Sequence, residues 1–106
     1  MSEPMRLGEK QELFAILQAK LIIYMYEQGY KVRCGDYYAR EGHKNNSNHY
    51  IKLACDLNLF KDGAYLTETA DHAEFGKYWE SLHELCRWGG RFGDGNHYSL
   101  IHDGRM

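Results

Sequence analysis

Between Leu53 and Leu59 the chain alternates with a period of two. Leu53, Cys55, Leu57 and Leu59 fall on one side, and Lys52, Ala54, Asp56 and Asn58 on the other. That period belongs to a strand whose one face is buried and whose other face is polar. The strand predicted over Tyr50–Phe60 therefore sends Asp56 away from the core while its neighbours anchor it. Lys61-Asp62-Gly63 follows as a turn signal, with Asp-Gly suited to a hairpin tip. A strand of this kind needs cover for its apolar face and partners for its edges.

The cover comes from two helical patterns. From Gly8 to Gln28, residues Leu13, Phe14, Ile16, Leu17, Leu21, Tyr24 and Met25 recur at three- and four-residue steps. Glu9 and Glu12 lie near the positive end of this helix, and Gly29 suits its C′ position. The run Leu21–Tyr26 is apolar all round, which predicts burial on more than one face. A second helix is predicted over Asp71–Cys86, with the stripe Phe75, Tyr78, Trp79, Leu82, Leu85 and Cys86, and with Asp71 and Glu74 spaced as a capping box. Tyr30–Arg33, Trp88–Phe92 and His97–Ile101 read as further strands, and the polar stretch from Asp36 to Asn48 reads as a surface loop. No strand–helix–strand rhythm appears. The expectation is one α+β domain over residues 1–106: a small, mostly antiparallel sheet, two main helices on one face, and the other face left for a site.

Composition narrows the function. The 106 residues carry a net charge of −2, with no basic stripe, so nucleic acid finds little electrostatic footprint. Three cysteines without a Cys-x-x-Cys pair argue against a disulfide framework. The first residues lack a signal-peptide pattern and no run is long enough to span a bilayer. The expectation is a monomer that does not insert into membranes.

The polar face carries the chemistry. His49, Asp56 and His97 offer a His/Asp/His metal set, with Asp94 beside it as a further carboxylate. Three protein ligands leave one position of a tetrahedral zinc open, the layout of a catalytic site. Spacing alone is a modest signal: six His and fifteen Asp or Glu residues allow many accidental trios, and Asp94-Gly95 is also an ordinary turn sequence.

The local text is more specific. Ser47-x-His49, then Asp56 seven residues on, then Trp88-Gly89-Gly90 and Asp94-x-x-His97, resembles the LAS-type zinc peptidases. These include D-Ala-D-Ala carboxypeptidases and dipeptidases, and the L-alanyl-D-glutamate endopeptidases that serve as bacteriophage endolysins. The resemblance spans roughly Val32 to Leu100. It implies that His49, Asp56 and His97 hold Zn2+, that Asp94 is the catalytic acid/base, and that the substrate is the stem peptide of bacterial peptidoglycan. Ser47 and Trp88 are candidate substrate contacts. Arg33 and Arg40 are both candidates for the arginine that such enzymes place before the first histidine.

Two positions depart from the family pattern. Lys52 stands where a Gly is usual, three residues after the first His, and Tyr98-Ser99 stand where a Glu commonly follows the last His. The second departure keeps open an alternative, a non-catalytic binding or structural protein on the same fold. By the resemblance, an endolysin-like chain without a signal peptide would wait in the cytoplasm until a separate factor released it to the wall. His72, His83 and His102 read as surface residues.

Overall fold

The computed structural model describes residues 5–35 and 52–102. Helix α1 spans Leu7–Glu27, and strand β1 (Lys31–Cys34) follows it. Strands β2 (Ala54–Lys61) and β3 (Ala64–Leu66) come next. After them stand a 3₁₀ turn at Thr69–His72, helix α2 (Ala73–Leu82), strand β4 (Cys86–Trp88), a second 3₁₀ turn at Gly89–Phe92, and strand β5 (His97–Leu100). The sheet order is β1-β2-β5-β4, with β3 also on β2, and every pairing is antiparallel. The fold is thus α+β, with a small antiparallel sheet and two helices, as the sequence predicts.

Strand β2 is the axis of the sheet. Its later half pairs with β1, Leu59 opposite Val32. On its other edge it pairs first with β5, Cys55 opposite Tyr98, and then with β3, Leu59 opposite Leu66. Asp62 and Gly63 link β2 to β3 with φ of 52° and 82°, two left-handed residues that match the right-handed twist of the flanking strands. The turn was legible in the sequence; β3 itself was not anticipated.

Residues directly opposite in an antiparallel pair share a face. Cys55, Leu57, Leu59, Tyr98, Leu100 and Cys86 therefore lie together, and the core forms where Phe14, Leu17, Leu21 and Met25 of α1 and Phe75 and Trp79 of α2 cover them. Trp79 ties the layers. Its ring meets Phe14 and Tyr98 edge-on at centroid distances of 5.8 and 6.1 Å. Its indole N–H is held by the carbonyls of Arg87 and Ser99, both at 3.0 Å.

Four sequence expectations are corrected, the first being the strand expected over Trp88–Phe92: Trp88 closes β4 and Gly89–Phe92 form a 3₁₀ turn. Helix α2 ends at Leu82, and Cys86, expected on the helix, begins β4 opposite Leu100. Sheet pairing and the Trp79 bond to Arg87 override the continuing apolar period, and His83 turns to an extended φ of −162°. Asp71 receives the Glu68 N–H at 3.1 Å, capping the 3₁₀ turn and not α2, while Glu74 accepts from the Tyr24 hydroxyl at 2.9 Å. Helix α1 buries one stripe only: Ile16, Ile23 and Tyr26 are at least half exposed, because the second face of the helix meets no partner among the described residues.

Candidate active site

The polar face of the sheet gathers part of the predicted set. Asp56 of β2 and His97 of β5 stand directly opposite each other. His97 Nδ1 lies 3.5 Å from Asp56 Oδ1, and both side chains are mostly withdrawn from solvent, at 13% and 21% exposure. Alternation along β2 fixes this: with Cys55 and Leu57 fully buried on the core side, Asp56 can only point to the other face.

Asp94 reaches the same neighbourhood through the Trp-Gly-Gly turn. Its N–H donates to the Gly89 carbonyl at 3.0 Å, and its own carbonyl accepts the His97 N–H at 3.2 Å. Gly89 is required there. A Cβ on it would stand 2.4 Å from the Asp94 carbonyl oxygen and 2.8 Å from His97 Cβ, so any side chain would force apart the loop that carries Asp94 and the strand that carries His97. The Asp94 side chain is exposed, at the rim of a polar cavity of about 130 Å³.

Arg33 lies on the same face. It pairs with Asn58, two residues along β2 from Asp56, and its guanidinium lies 4.2 Å from the centre of the Phe60 ring. Trp88 lies on the opposite, core side, across from Tyr98. Its indole fills the space beside Gly76 and Gly90, where a Cβ would come within 2.1 and 2.3 Å of the ring. Its N–H donates to the Gly95 carbonyl at 2.7 Å, so it steadies the loop that carries Asp94 from behind. His49, Arg40 and Ser47 fall outside the described residues. Among the described residues no group of three or more His, Cys, Asp or Glu side chains gathers as a metal site. Gly35, the last described residue before that stretch, donates its N–H to the Asp56 carbonyl at 2.7 Å.

The departure at Lys52 has a backbone counterpart. Lys52 takes φ of 58°, in the left-handed region where a residue with a Cβ is disfavoured by roughly 1–2 kcal/mol. A glycine at this position of the family motif meets that requirement without strain.

Sequence reasoning missed His72. It was read as a surface residue, yet it is 3% exposed. Its Nδ1 lies 2.7 Å from the hydroxyl of Tyr98, itself fully buried. Burial holds its pKa down at about 4, and the nearby Asp71 carboxylate offsets only part of that. The signal was present: 72, 75 and 79 follow the helical period of the core stripe, so His72 sits where an apolar residue was due.

Residues 41–100 match the model of a peptidase family described as D-alanyl-D-alanine carboxypeptidase. The match covers more than half of the chain, from before β2 through β5, and the chain belongs to this family. No curated protein matches the chain.

Proposed function

We propose that the protein is a zinc-dependent peptidase that hydrolyses peptide bonds of the peptidoglycan stem peptide, in the manner of an endolysin. The observation that carries this reading is the cross-strand pair of Asp56 and His97 with Asp94 one turn away. The 3.5 Å between His97 Nδ1 and Asp56 Oδ1 is too long for a good hydrogen bond. It is close to the roughly 3.3 Å that separates two ligands at about 2.0–2.1 Å on a tetrahedral zinc. Nitrogen and carboxylate oxygen are the donor types that zinc takes. His49 is the third donor of the reading. The residues fit the metal in type and in the one separation available.

Zinc held by His49, Asp56 and His97 would supply Lewis acidity toward a peptide carbonyl and a water acidified toward neutral pH. The rest falls to the chain. Asp94 takes the proton from the attacking water and returns it to the leaving amine. Its backbone bonds to Gly89 and His97 hold its Cα in place while its side chain stays exposed to an incoming substrate. Arg33 is positioned to draw a substrate carboxylate or carbonyl toward the same face, with Arg40 and Ser47 as further candidates for substrate contact. In this reading Trp88 supports the loop from the core side.

Digestion of intact peptidoglycan sacculi, followed by mass analysis of the fragments and zinc determination, tests the proposal. Zinc at one per chain with newly cleaved stem peptides is the expected result. Zinc without cleavage of any peptidoglycan chemotype would favour a non-catalytic binding protein, and cleavage of free dipeptides alone would favour a dipeptidase.

A further inference from the structure

Asp94 shares its cavity with a histidine that the peptidase reading leaves unused. The walls come from the end of the β2–β3 hairpin (Asn58, Tyr65, Thr67), the first 3₁₀ turn (Glu68, Thr69, His72) and the loop at Gly93–Asn96. They are almost wholly polar. Asn96 donates to Asn58 Oδ1 at 2.9 Å and the Tyr65 hydroxyl donates to the same oxygen at 3.3 Å, so one rim is braced.

His72 enters this cavity with its tautomer set from behind. The Tyr98 hydroxyl is fully buried, and the hydrogen bond it has is the 2.7 Å contact with His72 Nδ1. A buried O–H without an acceptor is costly. If His72 Nδ1 carried the proton, the phenol would accept and its own proton would have nowhere to go. The phenol therefore donates, Nδ1 accepts, and the ring proton sits on Nε2. That leaves a neutral N–H as the ring's remaining hydrogen-bonding group, in a cavity whose rim holds Asp94.

We infer that this cavity is a substrate subsite in which His72, oriented by Tyr98, donates its Nε2–H to a carbonyl oxygen of the peptide adjoining the bond to be cut. The inference rests on the peptidase reading and adds to it a binding residue and a positioning residue. A neutral donor suits a neutral acceptor beside a carboxylate. An N–H fixed by a phenol behind it holds an amide carbonyl and leaves Asp94, on the same cavity, to the proton transfer. Thr67 and Thr69 supply hydroxyls on the same wall for the amide's other side.

Two measurements test this. Nitrogen-15 NMR of the histidine rings at neutral pH reads the tautomer without any substrate: His72 protonated on Nε2 is expected, and protonation on Nδ1 or on both nitrogens overturns the inference. Kinetics of the zinc-supplied protein on N-acetylated L-Lys-D-Ala-D-Ala and N-acetylated L-Ala-D-Glu then read the role. His72→Ala should raise KM about 3–10-fold, the worth of one neutral hydrogen bond, with kcat less affected. His72→Gln, which keeps an N–H donor, should recover part of that, and Tyr98→Phe should lose the single tautomer in the NMR spectrum and raise KM in step. Unchanged KM in a folded His72→Ala, or loss confined to kcat, overturns the subsite. If His72→Ala does not fold, His72→Gln and the wild-type tautomer decide. If the wild type cleaves neither these peptides nor sacculi, the peptidase reading itself fails, a result distinct from cleavage that is indifferent to His72.

Discussion

The two faces of the central sheet are made from the same strands and follow opposite rules. On one face Cys55, Leu57, Leu59 and Leu100 are sealed under α1 and α2, and each answers to packing alone. On the other, Asp56, Asn58 and His97 come from the positions in between, and they are held partly out of solvent where a charge is expensive. The core face explains why the chain folds. The polar face carries partly buried titratable side chains that apolar packing does not call for, and that contrast is the physical reason to look for chemistry there. Tyr98 belongs to both, with its ring in the core and its hydroxyl on His72 at the edge of the cavity.

The contrast breaks most sharply if one residue is removed from each face. His97→Ala should abolish zinc binding and peptide hydrolysis while moving the melting temperature little. Trp79→Ala, on the core face, should cost about 3–5 kcal/mol of stability, read by denaturant titration. If His97→Ala unfolds the protein as Trp79→Ala does, the polar face is structural and the division fails.

Gly76→Ala comes next. In an exposed helix the change would stabilise by up to about 1 kcal/mol, but a Cβ at Gly76 meets the Trp88 ring at 2.1 Å. A net loss of about 1–3 kcal/mol is expected, together with reduced activity, since Trp88 holds the Gly95 carbonyl in the loop that carries Asp94.

Acid sharpens the comparison. His72 is kept neutral by burial, with a folded pKa near 4 against a model-peptide value of 6.5. The unfolded chain therefore binds a proton that the folded chain refuses. The stability from this group is fully present above pH 6.5 and is lost as pH falls toward 4, by up to about 3 kcal/mol. Thermal melts from pH 7 to 4 should show a steeper loss for the wild type than for His72→Gln. Parallel curves would mean that the ring titrates normally.

The elements that could be read from sequence are those in which one local rule acts alone. The alternation of β2 placed Asp56 correctly, the Asp62-Gly63 turn formed where its residue types demand, and the first helix differs by one residue at each end. The second helix was overextended because its apolar period runs on into Leu85 and Cys86, where sheet pairing takes over. His72 was misplaced because histidine at the head of a helix looks like solvent-facing polarity until the partner 26 residues away is known. Of the candidate site, Asp56 and His97 stand opposite each other across β2 and β5, and Asp94 is joined to His97 by a backbone hydrogen bond. His49, Arg40 and Ser47 lie outside the described residues, and the core-side position of Trp88 required the pairing register of β4 with β5.

The smallest expected effect concerns Lys52. Lys52→Gly relieves the left-handed φ of 58° and should leave stability unchanged or raise it by up to about 1 kcal/mol, whereas the β-branched Lys52→Val should lower it by more than that. Chemical denaturation of the three proteins compares them.

The central claim is that the polar face works through Asp94 as a base beside Asp56 and His97. The rate of stem-peptide hydrolysis by Asp94→Asn, measured at a zinc content matched to wild type, tests it most directly. The change keeps shape and removes the proton acceptor, so a fall of roughly 10²–10⁴-fold is expected; an undiminished rate would make Asp94 a turn residue only and contradict the account.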